Sequence, residues 1–177
     1  GGGLTRPAWP PEERQACAYV VSRLEAAGLK VRTDPVGNVC ARRPGRGGDL
    51  PAVVSGSHLD SQVRGGRFDG VVGVMCALEA VRLLAEARIE TRHPVEAAII
   101  VAEEGSHFPL GTLGSRFIAG LAGEEQLRNL RTASGVTLGE QLERLGLRPQ
   151  EFARARLTRE QVKAFVEVHI EQNRELQ

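Results

Sequence analysis

The chain has 177 residues, 41% of them hydrophobic and 25% charged. That balance excludes a collagen, a coiled-coil rod and a disordered tail, each of which needs a strong compositional bias. With 23 Lys and Arg against 22 Asp and Glu, the formal net charge is +1, so the basic surplus that marks nucleic-acid binding is absent. The length suits one domain. Cys17, Cys40 and Cys76 are odd in number, widely spaced and without a Cys-x-x-Cys pair. A disulfide scaffold or zinc ribbon is therefore not expected, and free thiols in a reducing cytoplasm are. No apolar stretch approaches the roughly 20 residues that span a bilayer, and the start carries no signal-peptide core. The reading is a cytoplasmic chain with no membrane partner.

In chain order, Pro10 and Pro11 followed by Glu12 and Glu13 predict a helix start, with Gly28 at its stop. Ala16, Tyr19, Val20 and Leu24 recur at helical spacing and form its expected core face. Residues 29–33 alternate like a strand, 34–38 form a turn and 39–42 return. A glycine-rich loop then leads to a short apolar strand at 52–56, which ends in Ser57-His58-Leu59-Asp60. A polar loop runs to Asp69, and 70–87 reads as a long helix with Val71, Val74, Met75, Leu78, Val81 and Leu84 on a broad buried face. Residues 96–102 are nearly continuously apolar, as in a strand covered on both sides, and end in Glu103-Glu104-Gly105. Residues 113–147 are helical in pieces. Thr158 and Gln161 have capping-box spacing for a short helix, and 164–170 is the last strand, closed by His169. Strands alternating with helices predict an α/β fold, a layered mixed sheet with helices on both faces. In such sheets chemistry gathers at the carboxyl ends of the strands.

Three strand ends carry residues suited to metal chemistry. His58 and Asp60, two apart on an extended segment, point the same way. His58 can then ligate a metal while Asp60 holds its other ring nitrogen. Asp69 directly precedes a helix and fits either an N-cap or a carboxylate bridging two cations. Glu103 and Glu104 diverge along a strand unless the chain turns, which Gly105 permits. One can then ligate while the other takes a proton from water; a solvated loop pair is the alternative. His169 closes the last strand, where a lone histidine is more often structural than a ligand; His93 and His107 are left unassigned. No P-loop, dinucleotide fingerprint or nucleophile elbow competes.

Taken together, the segments GSHLDS (56–61), GGRFDGVVGV (65–74), EEGSHF (103–108), LGSRFIAG (113–120) and FVEVHIEQ (165–172) resemble, in that order, one enzyme family. It is the allantoate amidohydrolase, N-carbamoyl-L-amino-acid hydrolase and β-ureidopropionase group, within the two-metal aminoacylases and carboxypeptidases. The resemblance covers essentially the whole chain and implies a zinc-exopeptidase-like catalytic domain. It implies His58, Asp69, Glu104 and His169 as ligands of two divalent ions, Zn or Mn. Asp69 would be the bridge, Asp60 the partner of His58, Glu103 the general base and Gln172 a substrate contact. The implied substrate is a small ureido compound, an N-carbamoyl-L-amino acid or allantoate. Aminoacylase or dipeptidase activity from the wider group is the alternative. His107 stands where Arg is common, Asn173 where Gly is usual, and Trp9-Pro10 replaces a more polar helix entry.

Members of this family are about twice as long, homodimeric, and insert a lid domain after the HIEQ segment before returning to finish the catalytic domain. The resemblance thus makes residues 1–177 the N-terminal part of that domain, truncated before the lid and without the return segment. The expectation is one complete metal site at His58, Asp69 and His169, and a second with only Asp69 and Glu104. On that reading the isolated chain is an inactive remnant that binds one metal weakly.

Overall fold

The computed structural model describes residues 2–171; Gln172 and Asn173 lie outside them. Helix α1 (Pro11–Ala26) starts at a proline with Glu12 and Glu13 in its first turn. Strands β1 (Lys30–Thr33) and β2 (Val39–Arg43) form a hairpin. Its turn is pinned by Asp34, whose Oδ1 accepts from the amides of Val36, Gly37 and Asn38. Strand β3 (Ala52–His58), helix α2 (Val71–Glu86) and strand β4 (Val95–Ile100) then form a parallel crossover unit. Helices α3 (Leu113–Ala119), α4 (Glu124–Asn129) and α5 (Leu138–Arg144), with a 3-10 helix at Pro149–Ala155, lead to strand β5 (Val162–Val166).

Among the described residues, five strands form one sheet in the order β1-β2-β4-β3-β5. β3 is parallel to both β4 and β5, whereas β2 runs antiparallel to β1 and β4. The sheet is mixed, as expected. Alternation along β4 sends Ala97 and Ile99 into a core with Val20 and Leu24 of α1 and Val74, Ala77, Leu78 and Val81 of α2. Ala98 and Ile100 face the opposite side, where Ile118 of α3 packs. The remaining helices bury Leu113, Phe117, Leu127, Leu138 and Leu142 in their own cluster.

Several local expectations are corrected. Tyr19 is 60% exposed, because the buried stripe of α1 needs only Val20 and Leu24 once α2 lies alongside. Met75 is also exposed; the buried face of α2 is Val74, Ala77, Leu78 and Val81, the narrower i, i+3, i+4, i+7 stripe. Residues 158–161 form a turn, not a helix: Gln161 Oε1 reaches back to the Thr158 amide, but β5 begins at Val162 before a helical turn can close. The last strand spans Val162–Val166, so His169 sits three residues beyond it.

Candidate metal centre

β3, β4 and β5 are parallel neighbours, and their carboxyl ends bring the site together. β3 ends on His58, the segment after β4 carries Glu103 and Glu104, and the segment after β5 carries His169. Asp69 arrives from the amino end of α2. It is not the helix cap; Gly70 holds that position, with no side-chain capping bond. Gly70 has φ 66°, and a Cβ there would lie 2.5 Å from the His58 ring and carbonyl. Only glycine therefore lets the helix start close against His58.

His58 and Asp69 are almost fully buried and His169 is partly exposed. Their ligand-type atoms lie within 4.8 Å of one another. His58 Nε2 is 3.8 Å from Asp69 Oδ1, and His169 Nε2 is 3.3 Å from the same oxygen. The two imidazoles stack with centroids 5.8 Å apart. His58 Nδ1 contacts the Asp60 carbonyl at 2.9 Å, and His169 Nδ1 the Ile170 carbonyl at 2.8 Å. A carbonyl oxygen can only accept, so each Nδ1 keeps its proton and each Nε2 is the ring atom that faces the shared carboxylate.

Asp60 acts differently from the sequence expectation. Its carbonyl, not its carboxylate, makes the short contact with His58; Oδ1 is 3.6 Å from the ring. The carboxylate instead accepts from the amides of Glu103 (3.1 Å) and Glu104 (3.0 Å). Asp60, 2% exposed, thus fastens the Glu-Glu loop to β3. The loop turns earlier than expected. Ala102 adopts φ 56° and Gly105 φ 65°, and the Glu103 carbonyl accepts from Thr112. Gln62, not singled out from the sequence, donates to Glu104 Oε2 at 2.9 Å and to its carbonyl at 2.8 Å. The signal was present: His58, Asp60 and Gln62 continue one alternation.

The donor set fits a divalent cation. Among the described residues no hydrogen-bond donor reaches the buried Glu104 Oε1, and burial together with the facing Asp69 carboxylate raises the Glu104 pKa. Two confronted carboxylates and two imidazoles, each Nδ1 tied to a carbonyl, are what a cation would relieve and use. Glu103 is also raised, first by burial and further by the charges of Asp60 and Glu167, against the lowering effect of His58 and His169. An apolar cavity of about 350 Å³ lies elsewhere, lined by Cys40, Val54, Ala98, Ile100, Ile118 and Phe165, and holds none of these groups.

His58 sets a pH dependence. Burial opposes its charge, but the nearby Asp60 carboxylate, the Asp60 carbonyl and the charge of Glu104 outweigh this and lift it to about 9. The folded value lies above the ordinary 6.5. Its stabilising contribution is therefore full below pH 6.5 and is lost as pH rises through 9. At pH 7 a cation must displace the Nε2 proton. Zinc binding is expected to release at least one proton, and its apparent affinity to weaken about tenfold per unit as pH falls from 9 to 7. Calorimetry in buffers of different ionisation enthalpy measures this; binding without proton release contradicts it.

The mixed sheet and the clustered imidazole and carboxylate groups define an α/β domain with a candidate metal site. The model of peptidase family M20/M25/M40 matches residues 50–177, and the chain belongs to that family, which is metal-dependent. The chain is 43% identical over 172 residues to an N-carbamoyl-L-amino-acid amidohydrolase of Paenarthrobacter aurescens, covering 97% of this chain and 42% of that protein. It is 35% identical over 176 residues to an allantoate amidohydrolase of Bacillus subtilis, covering 99% and 42%. A hydantoinase/carbamoylase family amidase from Burkholderia ambifaria superposes with a TM-score of 0.89 at 39% identity, covering 99% of this chain and 42% of that one. The chain thus spans about 42% of the length of these relatives. Among the described residues, no helix is long and apolar enough to cross a membrane.

Proposed function

We propose that this chain supplies the metal-binding and proton-transferring part of an amidohydrolase that cleaves a ureido C–N bond, in an N-carbamoyl-L-amino acid or in allantoate. The observation that carries the reading is the convergence of His58, Asp69 and His169 on one point, beside Glu103 and Glu104. The names of the relatives in Paenarthrobacter aurescens and Bacillus subtilis support the substrate class. His58, Asp69 and His169 would hold one divalent ion, Zn or Mn, and Asp69 with Glu104 would contribute to a second. When bound, such ions polarise the scissile carbonyl and acidify water.

Asp60 orients His58 through its carbonyl and anchors both Glu103 and Glu104 through its carboxylate. Glu103, with its affinity for protons raised by burial, takes one from the attacking water and delivers it to the departing nitrogen. An N-carbamoyl amino acid plus one water then gives the amino acid, carbon dioxide and ammonia. Allantoate plus one water would likewise lose the carbamoyl group of one ureido arm as carbon dioxide and ammonia, leaving an amine. Gln172 would touch the substrate, as the resemblance implies. Residues 1–177 are read as the first part of the catalytic domain of a homodimeric enzyme. The three free cysteines suit a reducing cytoplasm. The test is ammonia release from both substrates with added Zn or Mn, measured on the 177-residue chain and on any longer reading frame that contains it. Metal-dependent ammonia release by the longest frame supports the proposal. Its absence from every frame with both substrates overturns it.

A further inference from the structure

His169 is held over Asp69 although the strand that leads to it has already ended. The β3–β5 ladder stops at the pair Ser55 and Val166. Segment 167–169 therefore has no strand register to fix its height. Two other features press it against β3. Ser57, 2% exposed and adjacent to His58, donates its hydroxyl hydrogen to the carboxylate of Glu167, two residues before His169. Beneath them, a Cβ on Gly73 of α2 would lie 2.6 Å from both Ser57 Cβ and the Val168 carbonyl oxygen. The bare glycine lets the segment settle onto the helix. Ser57 and Glu167 thus join the carriers of the two histidines by a bond that includes neither imidazole.

We propose that Ser57 and Glu167 are positioning residues: their hydrogen bond sets His169 against His58 and Asp69, and so tunes cation affinity without touching the cation. The inference rests on reading His58, Asp69 and His169 as a cation site. Partners that orient ligands in this way are typically worth about 10–100-fold in metal affinity.

The test uses Glu167→Ala, Ser57→Ala, the double variant and Glu167→Gln, whose amide oxygen can still accept from Ser57. Two readouts are taken on the 177-residue chain. One is the nuclear Overhauser contact between the His58 and His169 rings without metal. The other is Co(II) affinity and absorption spectrum. Glu167 is exposed, so its alanine variant should keep the wild-type far-UV dichroism. Glu167→Ala and Ser57→Ala are expected to lose the ring contact and weaken Co(II) binding about 10–100-fold. The double variant should be no worse than either single one, and Glu167→Gln should stay within about threefold of wild type. A persisting ring contact with unchanged Co(II) affinity in Glu167→Ala overturns the proposal. Loss of the ring contact in a chain that never binds Co(II) supports the positioning bond and refutes the cation reading instead.

Discussion

Asp69→Asn is expected to weaken zinc binding by the chain about 10²–10³-fold, in competition with a chromophoric chelator at pH 7.5. Both imidazoles aim Nε2 at Asp69 Oδ1, at 3.8 Å and 3.3 Å, so this oxygen is the point on which the ligand set converges. Four-ligand structural zinc sites bind by roughly 10–16 kcal/mol, about 3 kcal/mol per ligand, and the loss of one such ligand is about two decades of affinity. The amide keeps the shape of the side chain but not its charge. It also relieves the confrontation with Glu104, so the metal-free fold should lose no stability. That separates a ligand from a structural cap. Had Asp69 been the N-cap of α2, its substitution would have lowered the melting temperature and left zinc affinity alone. Equal zinc affinity for Asp69→Asn and wild type would remove Asp69 from the site.

Glu103→Gln is expected to lower ammonia release about 10³-fold, within the range of a general acid–base group, in whichever frame shows turnover. Zinc affinity should remain within about threefold, since Glu103 is not among the three convergent ligands. Burial and the nearby Asp60 and Glu167 charges raise the Glu103 pKa. The working form is the carboxylate, so the acid limb of the rate profile should lie above that of an ordinary glutamate and disappear in the glutamine variant. Its backbone amide still donates to Asp60 Oδ1, so the loop is retained. A glutamine variant with undiminished turnover assigns the proton transfer elsewhere.

The parts of the site legible in the sequence were those with a local signature. His58 and Asp60 alternate at a strand end, and Glu103-Glu104 closes an apolar run. Their convergence was legible only as strand-end logic and as a resemblance in motif order. What brings them within reach is long-range pairing of β3 with β4 and β5. Three features escaped because non-local contacts decide them. Asp60 divides its labour, carbonyl to His58 and carboxylate to two amides 43 and 44 residues away. The loop after β4 turns at Ala102, a residue whose side chain disfavours positive φ, because Asn38 and Gly114 hold Val101 on one side and Asp60 and Thr112 hold Glu103 on the other. Glu167 is an unremarkable acid in sequence, and Ser57 gives it meaning only across the sheet. The misplaced core residues have the same origin. Tyr19 and Met75 lie on helical periods that fit an amphipathic face, but the neighbouring helix decides how wide that face becomes.

In the proposed site, His58, Asp69 and His169 hold a divalent cation through two Nε2 atoms and one carboxylate oxygen. Diffraction from zinc-loaded crystals of the chain, collected on both sides of the zinc absorption edge, tests it directly. One anomalous peak is expected about 2.0–2.2 Å from His58 Nε2, His169 Nε2 and an Asp69 carboxylate oxygen. The peak is expected to vanish in crystals of Asp69→Asn. A peak coordinated elsewhere, or none at these three residues under saturating zinc, would contradict it.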